Sequence, residues 1–131
     1  MIEEAYCSYE VAKLLKEKGF DIPCQAYYCK FENGDLVHTT YAPLENHNSS
    51  AKFISMPTHQ LTMAWLREVH KILITIIPQK IAVGVNKLCY GIYRITEDGY
   101  TPLFNGSIKA LKDSYENIEE TILKYVLNYL V

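Results

Sequence analysis

The chain has 131 residues, 49% of them hydrophobic and 21% charged, with a formal net charge of −2. That length predicts one globular domain over residues 1–131, large enough to bury a core without metal or disulfide support. The charge balance excludes a field that recruits nucleic acid or anionic membrane, and no apolar run reaches the length of a membrane helix. The start Met1-Ile2-Glu3-Glu4 lacks the basic and apolar regions of a signal peptide. The four cysteines, Cys7, Cys24, Cys29 and Cys89, form no CxxC and are too few for a disulfide framework. Reduced thiols and a cytoplasmic location are therefore expected. Tyrosine is abundant, with 11 residues, a type that fills half-buried strand positions and also marks interfaces.

The tripeptide Ser-Tyr-Glu occurs at Ser8 and again at Ser114, each time before an amphipathic run. Each serine reads as an N-cap and each glutamate as a first-turn acid favoured by the helix dipole. The first helix is expected over about Tyr9–Lys18, with Val11, Leu14 and Leu15 on its apolar stripe, Gly19 as the left-handed residue after it and Phe20 folding back. "AYYCKFE" and "LVHTTY" alternate as two strands around Glu32-Asn33-Gly34-Asp35. A two-residue Asn33-Gly34 turn would set Phe31 opposite Leu36, Cys29 opposite His38 and Tyr27 opposite Thr40. The segment from Ala42 to Met56 is polar and rich in turn formers, and is expected to be irregular and mobile.

A second helix from His59 to His70 follows, capped by Thr58, with Leu61, Trp65 and Val69 at i, i+4 and i+8 as its core stripe. "ILITII" reads as a buried strand ended by Pro78, and "KIAVGV" and "LCYGIYRIT" as two more strands around Asn86-Lys87. A short strand near Tyr100–Phe104 and a final helix over about Tyr115–Leu130 complete the chain. The predicted fold is α+β: a single antiparallel sheet of about four or five strands with three helices.

Signals for chemistry are sparse. Cys29 and His38, paired across the first hairpin, are the one candidate nucleophile and base, although the same face carries Tyr27, Phe31 and Leu36 and reads equally as core. His38, His47, His59 and His70 match no HxxxH or HExxH spacing. His59 and His70 stand about 16 Å apart along their helix at 1.5 Å per residue. The six glycines are isolated, so no phosphate loop is present. Neither a metal nor a cofactor is expected. Glu119 and Glu120 read as acids placed for the dipole of the last helix. Lys87, Tyr90, Tyr93 and Arg94 interleave basic and aromatic residues, the weak signal for nucleic acid.

The last helix carries a broad apolar arc. Ile118, Ile122 and Val126 can pack on the sheet, which leaves Leu123, Leu127 and Leu130 to be covered, with Tyr125 and Tyr129 beside them. A homodimer through these five residues is expected.

The segments "SYEVAKLLKEKGFD", "ISMPTHQLTMAWLREVHKILITI" and "SYENIEETILKYVLNYL" resemble a group of short uncharacterised proteins encoded in phage, prophage and other mobile elements of Bacteroidetes-type gut bacteria. The resemblance covers most of the chain and rests on caps, core aromatics and helix-ending glycine. It implies a mobile-element origin and brings no activity or functional residue with it. The expected function is that of a small accessory protein acting through a protein partner or self-association. A nucleic-acid-binding role is the second reading, and an enzyme using Cys29 and His38 the third.

Overall fold

The computed structural model describes residues 4–82, 85–108 and 115–131. It is α+β, with three helices and two three-stranded antiparallel sheets in place of the single sheet expected. The chain forms two compact units, one comprising Met1–Leu61 and Glu119–Val131, the other Thr62–Ile118.

In the first unit, α1 spans Tyr9–Glu17. Its ends follow from local chemistry. The Ser8 hydroxyl accepts from the Val11 N–H at 3.3 Å, satisfying one donor that the first turn leaves unpaired. At the other end Gly19 adopts φ +88°, and Phe20 N–H returns to the Leu15 carbonyl at 2.9 Å while Gly19 N–H reaches Lys16. This double closure is the Schellman arrangement, and it buries Phe20. Val11, Ala12 and Leu15 face the core.

Strands β1 (Tyr27–Lys30) and β2 (Leu36–Thr39) form the expected hairpin, one residue out of the expected register. Tyr28 lies opposite His38 and Cys29 opposite Val37. The loop is the cause. Phe31 N–H donates to the Asp35 carbonyl and Gly34 N–H to the Phe31 carbonyl, so three residues, Glu32-Asn33-Gly34, make the turn. A type I′ turn would need positive φ at both Asn33 and Gly34. Only Gly34 takes it, at +93°, because the Asn33 side chain accepts from Asp35 N–H at 3.0 Å and holds the first part of the turn in the ordinary region. The one-residue shift moves His38 from Cys29 to Tyr28, on the opposite face of the sheet.

The segment expected to be irregular has structure of its own. A 3-10 turn at His47–Ser49 precedes β3 (Phe53–Ser55), which pairs with β1. Buried His47 bonds the Cys24 carbonyl at 2.8 Å through Nε2. The Asn48 side chain donates to the Phe20 carbonyl and accepts from Ser55 N–H. Side-chain bonds thus take the place of a ladder for this stretch. The strand order is β2-β1-β3.

Helix α2 (His59–Val69) is capped as expected, with Leu61 N–H donating to the Thr58 hydroxyl. Its buried face is rotated from the expected stripe. His59, Thr62, Trp65 and Leu66 are buried, whereas Val69 is 57% exposed.

In the second unit β4 (Ile72–Ala82), β5 (Val85–Thr96) and β6 (Gly99–Ile108) form a meander in sequence order. Pro78 does not end β4. The Ile95 N–H donates to Lys71, which fixes the hydrogen-bonded pairs at odd positions of β4 and turns the nitrogen of Pro78 to the outer side, where no donor is missed. Asn86 and Lys87, expected to be a turn, lie within β5. The β5–β6 ladder shifts register by one residue, a bulge in β6, between the pairs Ile92–Phe104 and Tyr93–Pro102. Gly91 is buried beneath the Tyr93 ring, which occupies the space a Cβ would need.

Helix α3 spans Tyr115–Tyr129. The cap expected at Ser114, like Asp113 before it, lies outside the described residues. Leu123 and Leu127 are fully buried in the single chain, with Ile122 and Val126. The leucines expected to need a partner are therefore already covered, and Leu130 is half-buried. Tyr125 and Tyr129, 37% and 74% exposed, meet ring to ring at 5.2 Å with their planes tilted by 45°.

Candidate functional site

Three elements of the first unit bring ionisable groups together in its interior. Cys7 directly precedes the cap of α1, His59 opens α2, and Glu119 and Glu120 come from α3. Cys7 and His59 are positioned by backbone bonds. Cys7 N–H donates to the Pro57 carbonyl, and His59 N–H to the Ala5 carbonyl, which ties the entries of α1 and α2 together. Ser8 N–H donates to Glu120 Oε1 at 2.7 Å, so a carboxylate from α3 closes the N-terminus of α1, where the dipole favours negative charge.

The imidazole of His59 lies between the two carboxylates. Nε2 is 2.7 Å from Glu120 Oε1 and Nδ1 is 3.3 Å from Glu119 Oε1. Burial works most strongly against charge on His59, but the hydrogen bonds to Glu120 and Glu119 and their charges outweigh it and raise its pKa above 6.5. Burial likewise opposes the Glu120 carboxylate, and the bonds from His59 and Ser8 outweigh it and lower its pKa below 4.5. Glu120 Oε1 collects both donors, while Oε2 is buried without a hydrogen-bond partner. Cys7 is fully buried beside them. The Tyr28 hydroxyl donates to the Cys7 carbonyl at 2.7 Å. Its pKa is pushed up to about 12, first by burial and then by the negative charges that Cys7 and Glu120 can carry. One ligand atom each from Cys7, His59 and Glu120 lie within 4.8 Å of one another.

A second feature of the same unit is an open groove along α1 and the β1–β2 hairpin, lined by Tyr9, Lys13, Lys16, Lys30, Phe31, Val37, His38, Lys52 and Phe53 among others. Residues of both sheet faces line it, so it runs round the hairpin rather than enclosing a chamber. Four lysines face two glutamates, Glu17 and Glu32, along its walls. Strand β2 is an edge strand on which Leu36 and Val37 are 43% and 44% exposed, beside Phe31 at 52%. Phe31 and Asp35 form a hydrogen-bonded pair, so the alternation of the ladder turns the backbone groups of Leu36 and His38 outward, to the open edge.

The residues singled out in the sequence fare differently. Cys29 and His38 both border the groove but lie on opposite faces of the sheet, and His38 meets Tyr28 ring to ring at 6.0 Å. The pairing on which the nucleophile reading rested is absent. Tyr90 and Tyr93 are half-buried and Arg94 exposed on β5, and the Lys87 side chain lies outside the described residues. Leu123 and Leu127 are interior. Missed altogether were Cys7 and His59 as partners of Glu120. The separations are 61 residues for His59–Glu120 and 112 for Ser8–Glu120, and no spacing motif spans such distances.

Comparison with protein-family models, with curated proteins and with solved structures finds no match to this chain. Among the described residues, no helix is long and apolar enough to cross a membrane.

Proposed function

We propose that this chain is a binding protein of the cytoplasm, an accessory factor of mobile-element origin, that captures an extended, acidic segment of a protein partner along strand β2. The observation that carries the reading is the open edge of β2. It presents outward backbone groups at Leu36 and His38 and exposed apolar side chains at Phe31, Leu36 and Val37. Adding a strand to such an edge supplies main-chain hydrogen bonds, and the alternating side chains supply selectivity. The lysines at positions 13, 30 and 52 along the groove favour a partner strand that alternates apolar with acidic residues. A nucleic acid would use the lysines and aromatics but could not pair with the strand edge, which is why a peptide is the better occupant.

The test is binding of short peptides of alternating apolar and acidic residues, read by fluorescence polarisation with the full chain. His38→Pro removes an outward N–H and leaves the β1–β2 ladder intact, as Pro78 does in β4. It is expected to abolish binding without unfolding the protein. Binding that is unchanged in His38→Pro defeats the reading. Concentration-dependent dimerisation in sedimentation, lost in His38→Pro, would assign the edge to a second copy of the chain instead. Salt-sensitive retention of DNA or RNA without peptide binding would assign the groove to nucleic acid.

A further inference from the structure

We propose that Cys7, His59 and Glu120 form a binding site for one divalent transition-metal ion, Zn²⁺ by ligand type, with Glu119 as the residue that orients His59. The site is separate from the β2 edge and does not depend on the reading of that edge.

Thiolate, imidazole and carboxylate are the three side-chain ligands that zinc takes. Here each comes from a different helix entry or helix, and their ligand atoms already lie within 4.8 Å of one another. Bond lengths of about 2.0–2.3 Å around a tetrahedral ion place its ligand atoms roughly 3.3–3.8 Å apart. The adjustment required is a small opening of the 2.7 Å His59–Glu120 contact, the contact whose proton the ion replaces, and a closing of about 1 Å for a ligand pair at the 4.8 Å limit. Nδ1 of His59 remains directed at Glu119 Oε1. A carboxylate behind the ligating imidazole is the usual outer partner of a zinc histidine, fixing tautomer and ring orientation.

One further observation points to a ligand. Glu120 Oε2 is buried with no hydrogen-bond partner, a cost that a cation beside it removes. A cysteine nucleophile does not fit the same residues, because Cys7 is fully buried and a reactive thiol must be reached by its substrate.

The test uses the full chain freed of metal by chelator and loaded with one equivalent of Co²⁺ or Zn²⁺. Cobalt is expected to give a thiolate-to-metal charge-transfer band with tetrahedral ligand-field bands, at one ion per chain. Zinc is expected to protect Cys7, and none of Cys24, Cys29 and Cys89, from a thiol reagent during partial unfolding, with the protected residue located by peptide mass mapping on the wild type. Glu119→Gln should keep the band and weaken zinc binding about 10–100-fold, and Cys7→Ser should remove the band. A wild-type protein that gains no thiolate band, or zinc protection that falls on another cysteine, overturns the proposal without any variant having to fold. A band that survives Cys7→Ser does so as well.

Discussion

The long sheet carries a proline in each of its edge strands, Pro78 in β4 and Pro102 in β6, whereas the short sheet exposes Leu36 and Val37 on β2 with no proline in the strand. Edge prolines and bulges are how natural sheets prevent unwanted pairing, and the long sheet has both. The third edge of comparison is β3, where the Lys16 ammonium bonds the Phe53 and Ser50 carbonyls and so occupies backbone groups near that strand. Protection is thus applied to the other edges and withheld from β2. The two units differ inside as well. The described interior of the second holds Trp65, Leu66, Ile72, Ile92 and Ile118 together with the small polar Thr62, while that of the first holds a histidine between two carboxylates. Packing in the second unit is mainly apolar, and the first adds an ionisable lock.

Four measurements break or sharpen that contrast. The largest effect is expected for Trp65→Ala in the apolar unit. Trp65 is 4% exposed, and the cavity should cost about 3–5 kcal/mol in denaturant unfolding. Exposed Val69→Ala on the same helix should cost less than about 0.5 kcal/mol. Near-equal losses would mean that α2 is not buried along the Trp65 side.

The ionisable lock comes next. Glu120→Gln keeps the shape but removes the charge that His59 and Ser8 N–H share, and should cost about 1–3 kcal/mol. The pH dependence in chelator-treated protein follows from both partners. His59 is raised, so its contribution is complete below 6.5 and lost as pH rises through the folded value. Glu120 is lowered, so its contribution is complete above 4.5 and lost as pH falls through the folded value. The groups facing His59 are Glu119 and Glu120 from α3 and Cys7 before α1. The stabilisation is therefore greatest between about 4.5 and 6.5, and Glu120→Gln should flatten that maximum. A profile identical to wild type would remove the lock from the account.

Gly91→Ala addresses the long sheet. A Cβ there would stand 2.6 Å from the Tyr93 ring, so the ring must swing off β5 at a cost of about 1 kcal/mol. A tyrosine resonance that does not move in the variant would show that the backbone, not the ring, gives way. The smallest effect is a gain. Lys71 holds φ +58° between α2 and β4, a conformation that only glycine adopts without penalty. Lys71→Gly should stabilise the protein by about 0.5–1 kcal/mol in the same unfolding assay, less any loss of the Lys71 bond to the Glu68 carbonyl. A loss of stability would show that this bond outweighs the strain.

How far the fold was legible depends on the range over which each feature is decided. The start and stop of α1 were readable because Ser8, Gly19 and Phe20 act within a few residues of one another. The hairpin was readable as a hairpin, but its register was not. Two-residue and three-residue hairpin loops both accept a glycine at this position, and the Asn33 side-chain bond to Asp35 accompanies the three-residue one. Pro78 misled because a proline stops a strand only where its missing N–H faces a neighbour, and the side it faces is set by pairing with β5. The helical stripe of α2 was readable as a period but not as a phase, since Leu61-Trp65-Val69 and His59-Thr62-Leu66 are both regular and only burial tells which one is inside.

By itself, then, the order of residues determined the three helices, the caps of α1, the first hairpin and the burial of Trp65, because backbone sterics, local hydrogen bonds and apolar periodicity act over a turn or two of chain. Tertiary structure alone decided that the strands part into two sheets, that Leu123 and Leu127 are interior, and that Cys7, His59 and Glu120 meet. The last of these rests on contacts at Glu120 between residues 61 and 112 positions apart. A histidine at the start of one helix and a glutamate within another look like ordinary surface residues until the folded chain removes the water between them.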